Sequence, residues 1–270
     1  MKKNILFVII ALIAAGCSSD TENNTEKECR LVGAKVTGFY YDDITLPNDA
    51  YNSNFSGKIN FEYDGQNRIS KVKGGLLYMP DANNLNKWVL SNDVEDLVTY
   101  NNNTIKVDYS ANSDARPYQK EFTLSNGILI SRKVTKIYPL KLDPVVYTYE
   151  YNSNEIKEKI DGKVYRTFTL SAGNLIKVEQ IKYDFLSNAI TGKREYLFSN
   201  YDASENLLKG KFYINGAFFA AFSKNNYTAL KIKDYTFAND EYTLADESGT
   251  SFELTYDADH IASLFERDCK

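Results

Sequence analysis

The sequence contains one histidine, His260, within Tyr256-Asp257-Ala258-Asp259-His260-Ile261. An imidazole beside carboxylates is raw material for acid–base chemistry or for a metal site. A lone histidine gives no zinc ligand set, and no Ser-His-Asp or Cys-His arrangement can be assembled around it. It therefore reads as a polar turn residue. Glycoside hydrolysis needs no histidine, only two carboxylates across a cleft. The adjacent pairs Asp42-Asp43, Glu95-Asp96 and Asp240-Glu241 would face opposite ways on a strand, and they read as solvated charges. No loop has the oxygen-ligand spacing of a calcium site, and neither a phosphate-cradling glycine loop nor a dinucleotide fingerprint occurs. Gly74-Gly75 follows one strand pattern and leads into Leu76-Leu77-Tyr78, so it reads as a bulge or turn. No catalytic residue, metal or cofactor is expected.

Aromatic side chains offer a different chemistry. The chain has 21 Tyr and 15 Phe, but only 1 Trp and 2 Met. Tyr and Trp faces stack on sugars, and an exposed row of them would make a glycan platform. Tyr40, Tyr41, Tyr78 and Trp88 are candidates, as is the group Phe218, Phe219 and Phe222. The competing reading is that aromatics alternating along strands are core or cross-strand pairs.

The elements that would position these residues are strands. Phe61 to Val72 is the clearest unit: an apolar alternation, the turn Asp64-Gly65-Gln66-Asn67, and a returning alternation. Tyr149 to Ile160 follows the same plan. So do Phe122 to Ile130, Phe168 to Val178, Asn200 to Leu208 and Leu254 to Leu264. Further strand-like runs include Lys35 to Tyr41, Thr104 to Tyr109, Lys193 to Phe198, Lys211 to Ile214, Ala217 to Ser223, Ala229 to Phe237 and Glu241 to Leu244. Leu76 to Tyr100 breaks the rhythm and reads as a long loop or short helix over one end of the sheet. The fold expected is all-β: a large antiparallel meander of hairpin repeats, about fifteen strands or more, in a strongly twisted or partly rolled sheet.

The beginning of the chain carries an address. Met1-Lys2-Lys3, the apolar run Ile5 to Ala15 and a small-residue zone form a secretory signal, too short to remain as a membrane span. Ala14-Ala15-Gly16-Cys17 resembles the bacterial lipobox, with Ala14 where that pattern prefers Leu. The resemblance implies removal of residues 1–16 and acylation of Cys17, with multiple acyl chains holding the protein to a membrane. Residues 18–28 contain no apolar side chain, so they cannot bury surface to offset ordering entropy, and they read as a flexible spacer. Ser18 after the cysteine resembles outer-membrane sorting. Residues 29–270 then form a single β domain. In that oxidising compartment Cys29 and Cys269 read as a disulfide that closes almost the whole domain, bringing the first and last strands together.

The formal charge of −4 becomes −6 once Lys2 and Lys3 leave with the signal. An acidic chain gives no electrostatic footprint for nucleic acid. The hairpins resemble the Tyr-Asp repeats of bacterial surface proteins. Together with the lipobox they resemble the uncharacterised β-rich lipoproteins of Bacteroidota. The anchor, the spacer, the aromatic residues and the missing catalytic constellation point to a membrane-anchored envelope protein without enzymatic activity that binds a glycan or protein ligand. The alternatives are a structural or assembly component of the outer envelope and, third, a carboxylate-based glycoside hydrolase.

Overall fold

Short apolar alternations separated by Asn, Asp and Gly turns cannot bury both faces of a strand, so each must pair with its neighbours and present one face to a shared core. The computed structural model describes residues 29–36, 56–80, 86–109, 118–136, 142–184 and 186–269. The signal segment, Cys17, the spacer, Asp42, Asp43, Tyr40 and Tyr41 lie outside them.

Fifteen strands are described, running β1 (Cys29–Lys35), β2 (Lys58–Tyr63), β3 (Ile69–Pro80), β4 (Asn86–Asn101) and β5 (Thr104–Tyr109). They continue as β6 (Tyr118–Ser125), β7 (Ile128–Lys136), β8 (Val145–Asn152), β9 (Glu155–Ile160) and β10 (Lys163–Ser171). The last are β11 (Asn174–Tyr183), β12 (Ile190–Tyr201), β13 (Tyr227–Ala238), β14 (Glu241–Ser251) and β15 (Phe265–Cys269). All lie in one antiparallel sheet, in chain order from β1 to β14, with β15 on the far side of β1. The sheet is not closed into a barrel: β14 and β15 are its edges. Cys29 stands opposite Cys269 and is joined to it by a disulfide, as the sequence suggested.

The two ends of the sheet differ. At the end where Cys29 enters, most neighbouring strands are joined by short turns, at residues 64–68, 102–103, 126–127, 153–154 and 172–173, the exception being residues 202–226 between β12 and β13. Asn126 and Gly127 there have φ of 51° and 77°, the left-handed pair that matches the twist of a two-residue hairpin. At the other end most connections are longer, covering 36–57, 81–85, 110–117, 137–144 and 184–189.

Tyrosines fasten the short-turn end. The hydroxyl of Tyr63 donates to the Leu31 carbonyl, Tyr100 to Ile69 (2.9 Å), Tyr151 to Leu129 (2.7 Å) and Tyr201 to Leu175. In each case a Tyr at the end of one strand reaches a carbonyl near the start of the strand before it. Burial pushes the Tyr151 hydroxyl up to about 12, so it remains a donor at any physiological pH. Tyr151→Phe is expected to lower unfolding free energy by about 1 kcal/mol, the net value of one such bond; an unchanged urea midpoint would count against this role. The Asp that follows completes several turns. Asp64 Oδ1 accepts from the Gln66 and Arg68 amides at 2.9 Å, and Asp257 Oδ1 accepts from those of Asp259 and Ile261 at 3.0 Å.

Three readings of the sequence are corrected. Leu76 to Tyr100 is not a loop or helix, because most of it belongs to the long paired strands β3 and β4. Strand-forming residues are concentrated in the second arm, at Trp88, Val89, Val94, Val98, Thr99 and Tyr100, and Gly74-Gly75 marks the bulge, with a register shift between Lys73 and Gly75. Asn200 to Leu208 is not a hairpin: β12 ends at Tyr201 and the chain leaves the sheet. Lys211 to Ile214 and Ala217 to Ser223 are not strands either. Residues 202–226 form a compact insert of turns with a short 3₁₀ segment at Ala220–Phe222. Local bonds such as Ile214 N–H to Lys211 O (3.1 Å) and Ala221 N–H to Ala217 O (2.9 Å) replace ladder bonds. The physical reason is burial: Phe218, Phe219 and Phe222 are all inside, as they could not be on alternating faces of one strand.

The insert is pinned at its neck and fills the hollow of the sheet. Asp202 and Asn226 exchange backbone and side-chain bonds at 3.0 Å. Its rings meet Tyr100 on β4 (Tyr213, 6.0 Å), Phe168 on β10 (Phe222, 4.8 Å) and Tyr196 on β12 (Phe219, 5.1 Å). Asn215 Nδ2 donates to the buried Asp96 carboxylate at 2.7 Å. One insert touching strands that far apart means that the sheet curls around it.

Candidate functional site

The inner face of the sheet carries a row of polar residues where the sequence pattern leads one to expect apolar ones. Tyr149, Glu158, Arg166, Gln180, Arg194 and Asp234 stand directly opposite one another on six successive strands, β8 to β13. Each occupies an inward position beside apolar neighbours two residues away: Ile156 and Ile160 flank Glu158, and Phe168 follows Arg166. That period of two is the signal by which the row could have been found in the sequence.

Glu158 is fully buried at the centre of the deeper half. Arg132 Nη2 approaches its Oε2 at 3.3 Å, Arg166 Nη1 approaches its Oε1 at 3.4 Å, and the Tyr149 hydroxyl donates to Oε2. Arg166 Nε also donates to Gln180 Oε1 at 2.9 Å. The guanidinium of Arg132 lies 4.4 Å from the ring centres of both Tyr147 and Phe218, and that of Arg166 lies 5.0 Å from Tyr165 and 5.6 Å from Phe219. Rings from the sheet and from the insert thus take up the charge that water would otherwise solvate. Burial above all pushes the Tyr149 hydroxyl well above the ordinary tyrosine range, and the adjacent carboxylate adds to this. A carboxylate held by three donors is set up as an anchor for its neighbours, not as a proton shuttle.

Nearer the edge, Asp234 accepts two bonds from Arg194, at 2.9 and 2.7 Å, and a third from Lys182. Burial raises the Asp234 carboxyl, but the hydrogen bonds from Arg194 and Lys182 outweigh it and hold the group below the ordinary aspartate range. A carboxylate depressed in the folded state stabilises the fold above its unfolded pKa near 4, and this contribution is lost as pH falls through the folded value. Stability in urea should therefore hold between pH 7 and 5 and decline below about pH 4. Asp234→Asn should flatten part of that decline, and an identical acid slope in the variant would remove Asp234 from the account.

The row opens into a groove of about 540 Å³ at the end of the sheet opposite Cys29. Lys163, Tyr165, Gln180, Lys182, Tyr183 and Asn188 line it. Its position follows from the strands: the β9–β10 turn at Asp161-Gly162 and the β11–β12 connection are neighbours at that end. Tyr183 is fixed by donating its hydroxyl to the Val164 carbonyl at 3.0 Å, and Tyr165 packs at 5.8 Å from Tyr147. Lys182 is held by Asp234. The groove therefore has aromatic walls, with Tyr183, Gln180 and Lys182 held in place before any ligand arrives.

The outer face has the opposite character. Lys71 and Lys73 alternate with Glu62 and Glu95 at 3.0 to 3.6 Å, and Lys193 bridges Glu179 and Glu195 at 3.0 and 2.8 Å. Lys231 and Lys233 both reach Glu247. Burial opposes the charge of Lys193, yet the two carboxylates outweigh this and push it up to about 12. A face laced with ions suits water and not hydrocarbon, which in a membrane barrel meets an apolar outer band. Among the described residues no helix is long and apolar enough to cross a membrane.

The aromatic candidates from the sequence meet different outcomes. Tyr40 and Tyr41 are outside the described residues. Tyr78 and Trp88 are direct partners across β3 and β4. Phe218, Phe219 and Phe222 are core. His260 sits in a turn with φ 59°, and its neighbours Asp257 and Asp259 are bound by Arg267 at 2.6 and 2.8 Å. Glu95 and Asp96 face opposite ways as expected, one in the outer ion ladder and one buried against the insert.

No protein-family model matches the chain, and no curated protein matches it. Among solved structures, a porin-like protein from Bacteroides uniformis is similar over 72% of this chain and 88% of its own, at 13% identity and a TM-score of 0.36. A porin-like protein from Bacteroides vulgatus is similar over 82% of this chain and 98% of its own, at 12% identity and a TM-score of 0.40.

Proposed function

We propose that the chain is a lipid-anchored protein of the cell envelope that holds a ligand without transforming it, in the groove at the end of the sheet. The observation that carries this reading is the groove itself, with its tyrosines, amide side chains and lysines at the end away from Cys29. Acylation of Cys17 would tether the short-turn end through the spacer, so the groove would open away from the membrane. A glycan suits such walls, because sugar rings stack on tyrosine faces while their hydroxyls meet amides.

The caged state of Glu158 supports a binding role over hydrolysis. Hydrolysis needs a carboxyl free to give or take a proton, and both oxygens of Glu158 are engaged by Arg132, Arg166 and Tyr149.

Two measurements test the reading. Metabolic labelling with an alkyne fatty acid should mark the full chain and fail on Cys17→Ser. The full chain on a broad glycan array should retain at least one glycan class, and binding to none removes the glycan reading.

A structural role in the outer envelope is favoured by one observation: β14 is exposed along all eleven residues and, among the described residues, has a single neighbour. A partner strand could add there. The inward charge of Asp246 and the bulge between Asp234 and Tyr235 are devices that guard such edges, so this reading ranks second. Crosslinking in intact cells followed by pull-down should return a specific envelope partner if it holds.

A further inference from the structure

We infer that the groove selects an acidic saccharide, one whose ring carries a carboxylate. This rests on the reading of the groove as a glycan site and adds the ligand's charge. Three features of the groove combine to support it.

The first is size and wall chemistry. A space of about 540 Å³ falls in the range of small-molecule sites, and it is lined by two tyrosines with side-chain amides beside them. A sugar ring has an apolar C–H face and a hydroxyl rim that match both.

The second is charge. The lining includes Lys163, Lys182 and a single acidic residue, Asp161; Lys182 is already paired with Asp234, so a ligand's charge falls to Lys163. The chain as a whole is formally −4. The lining therefore carries one cation more than it has anions in a chain that is negative overall, and long-range attraction does not help an anion to approach. Selection for an acidic ring has to be local.

The third is placement. Lys163 stands opposite Ile160, which packs against the core, so Lys163 belongs to the inward face. Lys182 is directed by its bond to Asp234. The two ammonium groups come from adjacent strands, β10 and β11, with Tyr165 and Gln180 between them along the same face. A ring lying on Tyr165 would place its carboxylate toward Lys163, and its hydroxyls would meet Gln180 and Asn188.

The experiment is isothermal titration of the full chain with oligosaccharides matched in length and linkage. The acidic set is galacturonate, mannuronate and glucuronate oligomers, and the neutral set is their carboxyl-reduced counterparts. The expected result is binding of at least one acidic oligomer about fivefold or more tighter than its reduced form, the scale of one partly exposed ion pair. That preference should weaken as salt rises from 0.05 to 0.5 M, a range over which screening shortens to a few ångströms. Lys163→Gln, a change at an exposed side chain, should bring the acidic and reduced forms level with the fold intact by circular dichroism. Equal binding of acidic and reduced forms by the native chain overturns the inference and leaves the glycan site standing. An acidic preference that survives Lys163→Gln unchanged overturns the placement argued here. Binding of no acidic oligomer overturns the inference, and binding of no glycan on the array overturns the underlying reading as well.

Discussion

Replacing Glu158 with alanine is expected to cost 3–5 kcal/mol, the range found when one partner of a buried ion cluster is removed. The substitution would leave two guanidinium groups at the centre of the molecule without their common anion, and the Tyr149 hydroxyl without its acceptor. The aromatic rings over Arg132 and Arg166 soften that loss but cannot neutralise charge. A contrasting variant separates charge from packing. Arg132→Met, Glu158→Leu and Arg166→Met together should recover much of the stability, because apolar side chains of similar volume often replace a buried ion cluster without penalty. Urea unfolding of the three proteins checks this. If Glu158→Ala moves the transition by under about 1 kcal/mol, the cluster is not the centre of the core that its burial implies.

The second large effect belongs to Cys29 and Cys269. Their bond closes a chain separation of 240 residues, and the simple chain-entropy model assigns such a loop about 5 kcal/mol. Its removal also has a local consequence. β15 has five residues and, among the described residues, pairs only with β1, through a register that shifts between Leu31 and Gly33. Without the covalent clasp it should fray first. In Cys29→Ser/Cys269→Ser the unfolding midpoint should fall, and amides of β15 should lose hydrogen-exchange protection before those of β9 to β12. Equal protection of β15 in the reduced and oxidised protein would show that side-chain contacts, including Arg30 with Asp268 (3.0 Å) and Lys58 with Glu266, hold the strand without help.

Much of the wall was legible because its information is local. Phe61 and Tyr63 share a face by strand period alone, and Asn126-Gly127 specifies a turn in two residues. The disulfide followed from the compartment and from the position of the two cysteines at the domain's ends. What escaped was whatever depends on contacts distant in sequence. Phe218-Phe219 and Phe222 read as a strand because aromatics favour strands, and only the hollow of the curled sheet decides that they fill it as turns. Ile156, Ile160 and Phe168, two residues away, mark the inward positions of Glu158 and Arg166, but nothing near them in sequence shows that Arg132, two strands back on β7, completes the cluster. The groove was missed for the same reason: Lys163, Gln180 and Asn188 become neighbours only once three strand ends are brought together.

The order of the strands has a consequence for the gap between β14 and β15. Fourteen strands alternate in sense from β1 to β14, and β15 then runs against β1. Counting senses around the wall, the two edge strands point the same way. They could join each other only as a parallel pair, which the alternating rule of the rest of the sheet does not provide. The seam is therefore a matter of parity and not of incomplete curling. A strand that completed the wall in the prevailing pattern would have to be a sixteenth, supplied by another segment or another molecule, running against both edges at once.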